Sequence, residues 1–68
     1  MTIQEKFGNK IKELRFAKNI SQEQAALNCG LDRTHYQKIE AGKKNLTLST
    51  IEKIAKGFEV QILELFEF

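Results

Sequence analysis

The tightest constraint on this chain is the spacing of a few small and apolar residues between Ser21 and Gly42. Ala26 and Gly30 stand four apart, with Ala25, Cys29, Leu31, Tyr36 and Ile39 as the apolar positions around them. Two short helices that cross steeply need a small residue at the crossing, and Ala26 provides it. The chain must then reverse in about three residues, which favours a left-handed glycine. Ser21 is a good N-cap, with Gln24 placed as its capping-box partner. The pattern predicts one helix over about 22–29, ended by Gly30, and another over about 33–41, capped by Asp32 and ended by Gly42.

The flanks are helical too. Phe7, Ile11 and Leu14 recur on one face of a first helix over about 4–18, with Asn19 as its stop. Leu48, Ile51, Ile54, Ala55 and Phe58 form the expected inner face of a fourth, over about 49–58, capped by Thr47 or Ser49. A final short helix is expected over about 62–67. No stretch alternates long enough to demand a strand. Residues 1–68 therefore read as one all-α domain, a compact five-helix bundle.

Sixty-eight residues cannot hold a barrel or a doubly wound sheet. A core this small supplies only ~3–5 kcal/mol without further support. Cys29 is the only cysteine, so no disulfide within the chain adds to that. Self-association is the remaining common source. No apolar run approaches the ~18 residues of a membrane span, and the N-terminus lacks a signal-peptide apolar stretch. With a lone thiol, this leads us to expect a cytoplasmic protein. No metal-ligand spacing, carboxylate dyad or nucleophile–base pair is present, so neither an enzyme nor a cofactor is expected, and no small-molecule ligand is evident. The net charge of +2 hides a gradient. Residues 1–47 carry nine Lys/Arg against five Asp/Glu, and residues 48–68 carry two Lys against four Glu. A polyanion would be drawn to the first part.

The string S-Q-E-Q-A-A-L-N-C-G-L-D-R-T-H-Y-Q-K-I-E-A-G, residues 21–42, resembles the Cro/repressor-type (XRE-like) helix-turn-helix family. The flanks F-G-N-K-I-K-E-L-R (7–15) and L-S-T-I-E-K-I-A-K (48–56) agree with it. L-D-R-T-H-Y and K-K-N-L also look like the small controller proteins of restriction–modification systems. The resemblance implies a lambda-repressor-like domain with its third helix in the DNA major groove, usually as a dimer on a pseudo-palindromic site. Its function would be that of a sequence-specific transcriptional regulator of double-stranded DNA. The same helices could instead serve an antitoxin-like protein-interaction module.

Within the third helix, Arg33, Thr34, Gln37 and Lys38 are expected on the outer face as base contacts, with Tyr36 and Ile39 turned inward. The forked Arg33 suits guanine O6/N7, and Thr34 offers a methyl for thymine. Phosphate contacts are expected from Ser21 and Gln22 at the start of the second helix, and from His35. Tyr36 joins them if its hydroxyl emerges on the DNA side. The resemblance adds Lys43, Lys44 and Asn45 in the following loop. It also implies a partly buried ion pair between Arg15 and Glu40. Cys29 reads as a small core residue.

The family pattern is departed from at Ala25, Leu27, Tyr36 and Glu59. Ala25 stands where a larger residue is usual, so either the core is under-filled there or Leu27, at a position often polar, covers the gap. Tyr36 replaces a branched aliphatic. Gly57 weakens its helix by about 1 kcal/mol relative to Ala. Glu59 replaces a helix-ending Gly, so a differently shaped end is expected there. In the apolar tail, Ile62 and Leu65 are expected to pack inward with Phe66 shared. The surplus marks a homodimer surface of Ile62, Leu63, Phe66 and Phe68.

Overall fold

Four α-helices and one 3-10 turn are the whole regular structure in a computed structural model describing residues 1–68. They are α1 (Ile3–Lys18), α2 (Gln22–Cys29), α3 (Arg33–Glu40), α4 (Leu48–Phe58) and a 3-10 helix (Ile62–Phe66). The fold is all-α, but the fifth α-helix expected of the bundle is absent. Five residues without a side-chain cap close as a tighter 3-10 turn instead.

Local chemistry sets the helix ends. Thr2 and Glu5 form a reciprocal capping box on α1, which therefore starts one residue earlier than the apolar pattern indicates. Ser21 Oγ accepts the Gln24 N–H at 3.0 Å, starting α2. The reciprocal half of that box is missing, because the Gln24 side chain donates to Asn28 Oδ1 instead. Asp32 caps α3 and Thr47 caps α4. Gly30 ends α2 at φ 68°, the left-handed conformation that the reversal requires. Glu59 ends α4 in the same conformation, at φ 59°. The expected change of shape there does not occur, and a non-glycine residue bears a cost of about 1–2 kcal/mol.

Phe7, Ile11, Ala25, Ala26, Cys29, Tyr36, Ile39, Ile54, Ala55, Phe58 and Leu65 form the buried core. Cys29 lies in it as a packed thiol, and burial pushes its pKa up to about 11. Three expectations fail. Leu48, the first residue of α4, is 85% exposed, while Ile51 one turn on packs against the core. Of the two alternatives at Ala25, cover by Leu27 fails, because Leu27 is 72% exposed. Ala25 is nonetheless 1% exposed, and α2 and α4 come close together at Gly57. A Cβ on Gly57 would lie 2.5 Å from Cys29 Sγ and 2.8 Å from its Cα. Gly57 thus lets α4 sit against α2, which outweighs its weak helix propensity. Gly8 does the same for α1 and α3, since a Cβ there would lie 2.5 Å from the Glu40 carbonyl oxygen. The third failure is Ile62, which is 47% exposed and not packed inward. Only Leu65 of the 3-10 helix is buried.

Candidate nucleic-acid interface

α3 has two unlike faces. Tyr36 and Ile39 anchor its inner face, and Glu40 is buried at its C-terminal end. Arg33, Thr34, Gln37 and Lys38 all stand exposed on the outer face, as their spacing predicts. The Arg33 guanidinium lies 3.8 Å from Glu23 Oε2, and both side chains are mostly exposed. Such a pair is weak and leaves the guanidinium available.

The inner end of α3 is tied to α1. Arg15 Nε donates to Glu40 Oε2 at 2.7 Å, and Arg15 Nη2 donates to Oε1 at 3.2 Å. A third guanidinium bond goes to the Ile20 carbonyl at 3.0 Å. Burial alone would raise the Glu40 pKa. The bonds from Arg15 and Gln22, with Tyr36 close by, outweigh burial and hold the carboxyl below its usual value. Glu40 in turn raises the pKa of Arg15. The pair is therefore charged, forked and buried, in the geometry that makes such pairs strong.

Among the expected phosphate contacts, Ser21 is exposed at the start of α2, and His35 is half-buried with its backbone N–H taken by Asp32. Lys43, Lys44 and Asn45 are exposed in the loop after α3. With Thr2, Gln4 and Gly42 they line a shallow polar depression at the start of α1, where Asn45 accepts a hydrogen bond from Gln4. Tyr36 is not a phosphate contact. Its side chain is fully enclosed, and its hydroxyl has no hydrogen-bond partner. Burial raises its pKa far above the ordinary phenol value, and the nearby Glu40 carboxylate adds to this. The crossing of α3 over the core leaves the ring no route to the surface.

Gln22 departs from the simple phosphate-gripping expectation. Its Nε2 donates to Glu40 Oε1 at 3.0 Å, and its Oε1 accepts from Gln37 Nε2 at 3.2 Å. It thus links the buried ion pair to the exposed face. Gln22 and Glu40 are eighteen residues apart, and nothing local in the sequence marks the link. No group of three or more His, Cys, Asp or Glu side chains is placed to hold a metal ion. No helix is long and apolar enough to cross a membrane.

This architecture, two capped helices around a left-handed glycine with a polar outer ridge, is a helix-turn-helix. The chain belongs to the helix-turn-helix family HTH_3, whose pattern matches residues 11–65. It is 48% identical over 62 residues to the control protein C.MunI of Mycoplasma sp, covering 90% of this chain and 84% of that one. Among solved structures it is similar to the restriction-modification controller protein C.AhdI from Aeromonas hydrophila. The TM-score is 0.89 at 41% identity, over 93% of this chain and 96% of the other. It is also similar to C.Esp1396I bound to a 19 base pair DNA duplex, with a TM-score of 0.87 at 37% identity, over 98% of this chain and 89% of that one.

Proposed function

We propose that this protein is a sequence-specific DNA-binding transcriptional regulator of the controller kind, acting in the cytoplasm as a homodimer. One observation carries the reading. α3 is locked by Tyr36, Ile39 and the Arg15–Glu40 pair, while every side chain suited to reading bases projects from its other face. The likeness to a controller protein bound to a duplex supports it.

In this mechanism, the first turn of α3 enters the major groove with Arg33 and Thr34 foremost. Gln37 and Lys38 follow one turn later. Ser21, His35 and the Lys43–Lys44–Asn45 loop grip phosphates, which sets register and makes binding salt-sensitive. The tail, through Ile62, Leu63, Phe66 and Phe68, joins two copies. Two α3 helices then meet successive major grooves ~34 Å apart on a pseudo-palindrome.

Selection of binding sites from random duplexes tests the reading. A two-fold site is expected, and failure to enrich any sequence overturns it. Arg33→Ala should relax one base position at a cost of about 1–3 kcal/mol. Lys43→Ala/Lys44→Ala should weaken all sequences evenly and reduce the salt slope by about two.

A further inference from the structure

We infer that the buried Arg15–Glu40 pair, acting through Gln22 as a positioning residue, orients the Gln37 amide so that Gln37 selects adenine. The inference rests on the DNA-reading role proposed for α3.

The hydrogen bonds run outward from Glu40. Its side chain is 1% exposed, and Arg15 donates to both carboxylate oxygens. An ionised carboxylate only accepts. The Gln22 atom 3.0 Å from Glu40 Oε1 must therefore be the amide nitrogen. The Gln22 oxygen then faces Gln37, 3.2 Å away, and the Gln37 atom that meets it must be a nitrogen. Turning both amides over would set the Gln22 oxygen against the carboxylate. Turning either alone would oppose like atoms between the two glutamines. Carboxylate chemistry alone thus determines the polarity of both glutamines.

Gln37 is left with its oxygen and one N–H on the exposed face of α3. In the major groove, guanine offers two acceptors, thymine an acceptor and a methyl, and cytosine a donor. Adenine alone sets a donor, N6–H, beside an acceptor, N7. It is the base that matches an amide presented in this sense. An untethered glutamine rotates freely and must be ordered as it binds, which dilutes its preference. Arg33 has no such tether, since its partner Glu23 is itself exposed.

The test uses the selected duplex with each adenine replaced in turn by purine, which lacks the N6 amine. At one adenine per half-site, the unaltered protein should lose about tenfold in affinity. Gln37→Ala should bind the adenine and purine duplexes equally at that position. Gln22→Leu, with its fold checked by circular dichroism, should bring the adenine-to-purine ratio toward one there while keeping the base choice that depends on Arg33. A merely structural role would instead lower affinity for all duplexes together. Selective binding with no adenine dependent on Gln37 overturns this inference and leaves the regulator reading standing. An adenine preference that Gln22→Leu leaves at full strength overturns the positioning role. Absence of any selected sequence overturns both readings. Should Gln22→Leu fail to fold, the purine series on the unaltered protein and Gln37→Ala still decides whether Gln37 selects adenine.

Discussion

The α2–turn–α3 unit and the tail that follows α4 are built to different degrees of completeness. In the first, Ser21 and Asp32 cap both helices, Gly30 makes the reversal, and Ala25, Ala26, Cys29, Tyr36 and Ile39 are buried. In the second, the 3-10 helix has no side-chain cap and buries only Leu65. Phe66 packs its ring 5.2 Å from Phe7, and Phe68 trails 6.3 Å behind it. Ile62, Leu63, Phe66 and Phe68 stay exposed. A unit whose capping, turning and packing residues lie within twenty-two positions closes on itself. A short apolar segment with one buried anchor leaves a surface that a second copy can cover.

The heaviest loss of stability should fall on the first unit. Glu40→Ala strands the Arg15 charge and should cost about 3–5 kcal/mol, comparable to the whole stability of so small a core. Urea titration reads this directly, and the double replacement Arg15→Met/Glu40→Leu should recover much of the loss. The same pair gives a pH dependence. Because the folded Glu40 pKa lies below its usual 4.5, its contribution is complete above that pH and is lost as pH falls below it. Glu5, held low by the Thr2 backbone N–H, adds to the trend. The double replacement should flatten the acid slope without abolishing it.

Gly8→Ala comes next. Its Cβ would collide with the carbonyl oxygens of Ile39 and Glu40, so a loss of about 1–3 kcal/mol is expected despite the gain in helix propensity. A stabilising outcome would mean that α1 and α3 can separate freely. Glu59→Gly should work in the other direction. Relief of the left-handed strain should add about 1 kcal/mol, or about 4–8 °C in melting temperature. The weak surface contact it removes, Lys18–Glu59 at 3.6 Å, offsets little of this.

The smallest folding effect belongs to the tail. Leu63→Ser and Phe68→Ser should alter monomer stability by no more than about 0.5 kcal/mol, while sedimentation at micromolar concentration shifts from dimer to monomer. A loss of core stability in either would erase the contrast between the two regions.

What was legible in the sequence followed the same division. The caps at Ser21 and Asp32, the turn at Gly30 and the two faces of α3 all follow from residues within a few positions of one another, whereas the choice of Thr47 over Ser49 as the cap of α4 is made by the structure. The misreadings concern distant neighbours. Leu48 fits the periodicity of α4, but periodicity does not say where the core stops, and its side chain projects into solvent. Tyr36 could turn its hydroxyl either way until the crossing of α3 over the core closed one route. Gly57 counts as a weak helix former until the cysteine that faces it is known. The tail residues are apolar enough for a helix, yet five of them without a cap make only a 3-10 turn. The link from Gln22 to Glu40 joins residues on different helices, and only the packed structure brings them together.

Gly8 carries a consequence for how such a chain can change over generations. Because α1 rests directly on the backbone carbonyls at the end of α3, the mounting of that helix tolerates almost no variation. Arg33, Thr34 and Lys38 make no core contact and are free to drift at little thermodynamic risk. A lineage built on this frame can therefore exchange its target preference through single outward replacements, while the seat beneath them is inherited unaltered.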